Sequence, residues 1–297
     1  MKVLGKAVQS IIRRPFILVY FGLIALIYSI IDSKNPLTSV LMGFNRLGKG
    51  DFLEMIIYSI QIFLNIMMNP QTALKALIGF VLLLLVASLI IGLIFSGYFN
   101  VVNNAVGKKE KRKGEYFQGI KRYFLRITFV SLRAVLMSII VLVVTMVATV
   151  PAVIITKSWL SGREELLVVA AFVDVVTIGV IFLIFMFYST YVSFWFPSSV
   201  NNTKRWFFTG KENADKFFWK ISFRYIIFFV VFLICHFILA KINVNSSEPG
   251  FIFDMKKFAG FMANWIFNTL FFGLFITYVF SVYKIAESHV QEDMEYE

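Results

Sequence analysis

Apolar runs close to or above membrane-spanning length recur along the chain at residues 15–31, 73–102, 127–155, 166–196, 225–240 and 258–283. A hydrocarbon core about 30 Å thick takes about 20 helical residues, and in lipid only helices and closed barrels satisfy every backbone polar group. The runs are too long and too continuous for barrel strands, so each reads as a helix. Composition agrees, with 59% hydrophobic and 15% charged residues. A soluble domain carries about 25% charge, so this chain has too little polar surface to cover itself in water. The expected fold is an all-α polytopic membrane helix bundle with six transmembrane helices.

Two segments test that count. Lys2, Lys6, Arg13 and Arg14 ahead of the first run imitate a signal peptide, but no small-residue cleavage site follows, and an uncleaved first helix is expected. Residues 51–68 are apolar too, yet Asp51, Glu54, Tyr58, Gln61 and Asn65 recur at steps of three and four, which makes one polar stripe on a helix. Charge distinguishes a span from an interfacial helix, because one more crossing reverses every later connection. With six crossings and the N-terminus inside, 19 of the 29 basic residues fall on the cytoplasmic side and eight outside. Residues 51–68 are therefore expected along the outer interface or as a re-entrant helix, with both termini cytoplasmic. A single membrane domain, 1–283, is followed by an acidic tail, 284–297, read as a solvated end.

Several chemistries are excluded. The one cysteine, Cys235, lies in an apolar run, which leaves neither a disulfide framework nor a thiolate metal site. His236 and His289 stand far apart, and no zincin, nucleophile-elbow or P-loop pattern occurs. Neither a metal nor a cofactor is expected. The net charge of +12 reads as membrane topology and not as nucleic-acid binding.

The basic connections carry the next signal. Lys108, Lys109, Lys111, Arg112, Lys113, Lys121 and Arg122 in the first, with Lys204 and Arg205 in the second, are interleaved with Tyr, Phe and Trp. Such clusters attract anionic headgroups at about 1 kcal/mol per charge, and they also set orientation. They read as a candidate anionic-lipid or partner surface beside their role in topology. Val102-Asn103-Asn104 precedes Arg126 by the interval at which Val200-Asn201-Asn202 precedes Arg224, which hints at a parallel repeat of helix, basic connection and helix.

Inside the runs, Arg133 and Asp174 are the clearest charges. Each costs at least about 2.5–3.5 kcal/mol near the bilayer centre, so each needs a partner or water. Depth counting from the run ends makes an ion pair between the third and fourth helices a candidate, with snorkelling of Arg133 as the alternative. Thr177, His236, Asn264 and Asn268 are candidates for a polar interior, as a cavity lining or as interhelical hydrogen bonds. Ser88, Gly92 and Ser96, at i+4 spacing, read as a close helix-packing stripe.

VVNNAVGKKEKRKGEYFQGIKRYF after the second run, the proline in VATVPAVII and the closing SFWFPSSVNN carry a resemblance. The chain resembles a group of bacterial six-helix inner-membrane proteins related to the membrane-anchor domain of some glycerophosphodiester phosphodiesterases. The resemblance implies the fold along nearly the whole chain, and it carries over neither phosphodiesterase activity nor a site residue.

Three functions suit a chain of this class. The expected one is a cell-membrane component without catalysis, transport-associated or regulatory, presenting a basic cytoplasmic face to lipid or to another subunit. The alternative is a permease subunit energised by a separate ATPase. An intramembrane lipid enzyme fits least, because Arg133, Asp174, His236 and Cys235 do not assemble the acid, base and nucleophile such a site requires.

Overall fold

The computed structural model describes residues 2–34, 68–201, 205–244 and 255–295. Among them are seven α-helices and no strand: α1 Lys2–Arg13, α2 Phe16–Lys34, α3 Pro70–Val106, α4 Glu115–Leu160, α5 Leu167–Asn201, α6 Trp206–Val244 and α7 Met255–Glu295. A 3-10 turn at Glu164–Leu166 joins α4 to α5. Five helices are long and apolar enough to cross a bilayer, and six when α1 and α2, bent by 91°, count as one. The chain is an integral membrane protein with an all-α polytopic architecture. Apart from Met68, the amphipathic segment 51–68 lies outside the described residues.

The helices outrun the apolar runs that predict them. At about 1.5 Å per residue the 46 residues of α4 extend about 69 Å, over twice the hydrocarbon core, so its ends project. The basic connections are mostly helix, since α4 begins at Glu115 and α6 at Trp206. Only residues 107–114 stay non-helical in the first, where Gly114 adopts φ 71° ahead of α4. Neither Pro151 nor Pro197 ends its helix. At the far end of the chain α7 continues to Glu295, so most of the acidic tail is helical.

Contacts fix how the helices run. Lys111 Nζ lies 4.3 Å from the Phe16 ring, which sets the start of α2 beside the end of α3. Along α2 and α7, Trp265 Nε1 donates to the Gly22 carbonyl at 2.7 Å and Asn268 Nδ2 donates to Ser29 Oγ at 3.4 Å. Asn103 Nδ2 donates to Asn201 Oδ1 at 3.0 Å, and Lys284 Nζ donates to the Asn103 carbonyl at 3.2 Å. The start of α2, both basic connections and the late part of α7 therefore gather at one end, called the basic end below.

Helix α1 lies across that end, and its wheel explains why. Ala7 and Ser10 are buried, with Ala7 in a cluster holding Tyr283 and Ala286 of α7. Leu4, Val8 and Ile12 form an adjoining exposed apolar arc, and Gly5, Lys6, Gln9 and Arg13 complete the circle. One arc on protein, one apolar arc open and one polar arc is the pattern of a helix lying in a membrane interface. The basic residues here predict orientation from sequence, whereas the helix itself shows only in the i+4 spacing of Leu4, Val8 and Ile12.

The α3–α4 and α5–α6 pairs repeat one packing device. A Cβ added at Gly119 would sit 2.6 Å from Asn100 Cβ and 2.9 Å from the Ser96 carbonyl oxygen. A Cβ at Gly210 would sit 3.3 Å from both Ser198 Cβ and the Phe194 carbonyl oxygen. Ser96 and Asn100 precede Phe194 and Ser198 by the same 98 residues that separate Asn103 from Asn201. The equivalent glycines lie in Tyr116-Phe117-Gln118-Gly119 and Phe207-Phe208-Thr209-Gly210, only 91 apart, because the first connection is longer. The matched arginines are not equivalent: Arg126 donates to the Ser199 carbonyl and Arg224 to the Tyr278 hydroxyl. The small stripe of α3 meets α4 as well, with Gly92 against Thr128 and Ser88 and Ser96 fully buried.

Candidate functional site

Two features stand out, a polar node at the basic end and an aromatic chamber among α3, α5, α6 and α7. The node is centred on Glu115, 8% exposed at the first position of α4. Arg14 Nη1, at the bend between α1 and α2, donates to both carboxylate oxygens, at 3.0 and 2.9 Å, and Nη2 donates to the Lys109 carbonyl. Asn104 Nδ2 also donates to this carboxylate, and Asn100 Nδ2 donates to the Glu115 carbonyl at 2.8 Å. A buried pair of this kind is expensive to break, at about 3–5 kcal/mol when one partner is removed. It fastens the bend of α1 and α2 to the end of α3 and the start of α4. The node was missed from sequence, although Glu115 is one of only two acids among the eight basic residues of this connection.

Lys108, Lys109, Lys111, Arg112, Lys113, Lys121, Arg122 and Arg205 of the candidate basic surface are all exposed. Lys204 lies outside the described residues. The Arg122 guanidinium carbon lies 5.4 Å from the Tyr123 ring centroid.

The candidate pair of Arg133 and Asp174 does not form. Thr156 Oγ1 donates to both Asp174 oxygens, at 3.1 and 3.0 Å, across the α4–α5 hairpin. Arg133 precedes Thr156 by 23 residues of α4, which is about 35 Å at helical rise. The depth count failed because α4 extends well beyond the run used to place Arg133. Its guanidinium instead stacks on the Phe207 ring at 3.7 Å and lies 5.9 Å from Trp195.

Of the polar-interior candidates, Asn264 and Asn268 come together. Asn268 is fully buried and donates to Ser29 and, at 3.2 Å, to Asn264 Oδ1, so these two asparagines join α7 to α2. Buried His236 stacks on Phe232 at 5.3 Å on the α6 side of α7, and Thr177 is buried on α5. Among the described residues no three of His, Cys, Asp and Glu gather closely enough to hold a metal ion.

The chamber has a volume of about 630 Å³, and 11 of its 19 lining residues are phenylalanine, which leaves no charged group to bind an ion. Phe95 and Phe99 come from α3, Phe228 and Phe232 from α6, and Phe271 and Phe275 from α7. Ser193 and Tyr225 supply polar atoms, and their hydroxyls bond to each other at 2.7 Å. At the α5–α6 seam Phe185 and Phe229 meet at 5.5 Å, each 44% exposed. Sequence reasoning missed the chamber, whose signal is spread over four helices as an excess of phenylalanine, 35 in the chain.

No family model matches this chain, and no match is found among curated proteins or solved structures.

Proposed function

We propose that this protein is a non-catalytic component of the cell membrane that takes an apolar or amphiphilic molecule from the bilayer, in a transport-associated or regulatory role. The chamber carries the reading. Small-molecule sites are commonly pockets of about 300–1,000 Å³ lined by apolar and aromatic side chains with a few polar groups, and this one has that size and lining. An acyl chain or a fused apolar ring system suits a wall of phenylalanine faces and edges, and the Ser193 and Tyr225 hydroxyls offer its polar end a partner. The excess of lysine and arginine at the basic end supports a cytoplasmic position for that end and for both termini.

The test is photolabelling in vesicles with a diazirine-bearing phospholipid, followed by peptide mapping. The expected result is label concentrated on α5, α6 and α7 residues that line the chamber, lost several-fold in Ile276→Trp, which fills it. Label spread evenly over lipid-facing residues, unchanged by that substitution, defeats the reading.

The first turns of α6 favour a second reading. Lys211, Glu212, Asp215, Lys216 and Lys220 are exposed while Gly210, Asn213 and Ala214 are buried, which makes an amphipathic surface at the basic end. A permease subunit would present such a surface to its ATPase, and co-purification of a stoichiometric ATPase from native membranes is the observation that would select it.

A further inference from the structure

A second cavity lies on the other side of α5. It has a volume of about 500 Å³ and is bounded by Met137 and Val141 of α4, by α5 residues from Val180 to Trp195, and by Phe207 and Lys211 of α6. Apart from Lys211 its lining is apolar and aromatic, including two tyrosines. From Val180 to Trp195 the helix rises by 15 steps, about 22 Å, which exceeds the roughly 15 Å depth of one leaflet's hydrocarbon. The groove is thus long enough for an acyl chain lying along α5.

Its end at Trp195 and Phe207 carries two cations. Lys211 lines the groove directly, and Arg133 stacks on Phe207 and Trp195, which also line it. Among the described residues neither cation has a carboxylate within 4.0 Å, the one ion pair there being Arg14–Glu115. Asp215, one turn beyond Lys211, accepts from the Tyr191 hydroxyl. Stacking holds the guanidinium by its face and leaves its N–H edge free, the geometry that matches two phosphate oxygens. The exposed lysines of residues 108–113 line neither of these two cavities.

We infer that this groove is a binding site for an anionic phospholipid, with the phosphate at Arg133 and Lys211 and an acyl chain along Met137, Val141 and Ile184. The site is separate from the chamber and does not depend on its occupancy, although the two cavities share Tyr188 and Val192 as a wall.

The experiment is native mass spectrometry of the purified chain after equilibration in mixed micelles holding equal phosphatidylglycerol and phosphatidylcholine. Thermal midpoints are recorded alongside. The wild type is expected to retain phosphatidylglycerol preferentially. At about fivefold per cation near a membrane surface, Lys211→Gln lowers the preference about fivefold, and Arg133→Gln with Lys211→Gln lowers it about 25-fold. Lys157→Gln, exposed at the opposite end of α4 and away from both the groove and the basic surface, leaves the preference within about twofold, because its charge is screened by solvent. No preference in the wild type, or a preference surviving both substitutions, overturns the site. Lys211 is exposed, so its substitution spares the core, and an unchanged preference in Lys211→Gln alone overturns the site even if the double variant fails to fold.

Discussion

Gly119→Ala perturbs the closest approach that the repeat of helix pairs shares. The added methyl would lie 2.6 Å from Asn100 Cβ, 2.9 Å from the Ser96 carbonyl oxygen and 3.0 Å from Gly97 Cα, against carbon contacts that are favourable near 3.5–4.0 Å. Two of these neighbours are α3 backbone, so relief requires moving a helix and not turning a side chain. Overpacking of this kind costs about 1–3 kcal/mol, and the backbone contacts place it towards the upper end. Replacing a helical glycine by alanine returns up to about 1 kcal/mol, leaving a net loss of about 2 kcal/mol. Gly179→Ala on α5 meets nothing within 4 Å and should gain up to about 1 kcal/mol. Gly210→Ala, with its nearest neighbours at 3.3 Å, should fall between them. Unfolding midpoints followed by tryptophan fluorescence in one detergent give the order. A Gly119→Ala variant as stable as Gly179→Ala would refute the packing register of α3 on α4.

The remaining predictions concern the polar groups. Glu115→Leu should destabilise by about 3–5 kcal/mol, because the Arg14 guanidinium is left buried without its carboxylate, and Glu115→Gln by less; denaturant titration in detergent measures both. Asp174→Asn should cost less than about 1 kcal/mol, since an amide oxygen also accepts from the Thr156 hydroxyl. Combined with Arg133→Gln it should be additive within about 0.5 kcal/mol, and a larger coupling in a double-mutant cycle would restore the ion pair. Asn268→Ala should cost about 0.6–1.7 kcal/mol, the range measured for interhelical polar contacts in lipid, read from the same midpoints.

What the sequence makes legible follows the strength of its periodic signals. Six apolar runs announce helices because lipid leaves the backbone no other arrangement of that length. The stripe of Ser88, Gly92 and Ser96 announces close packing, and α4 meets it there. Helix ends are illegible for the same reason: residues such as Lys121, Arg122, Lys216 and Lys220 continue a helix in water as readily as apolar ones do in lipid. That displaced the depth of Arg133 and produced an ion pair that α4 keeps about 35 Å apart. Glu115 and Arg14 stayed hidden because their pairing crosses 101 residues and depends on the bend at Pro15. The two cavities are negative space between helices, and no single run of sequence encodes them.

The account rests on six crossings with the basic end in the cytoplasm. Single cysteines at Lys111, Arg205 and Lys157, introduced after Cys235→Ser, report it directly through an impermeant maleimide on intact cells. Lys157→Cys should react, while Lys111→Cys and Arg205→Cys should react only after the membrane is opened. Labelling of Lys111→Cys in sealed cells would place the basic end outside and contradict the orientation.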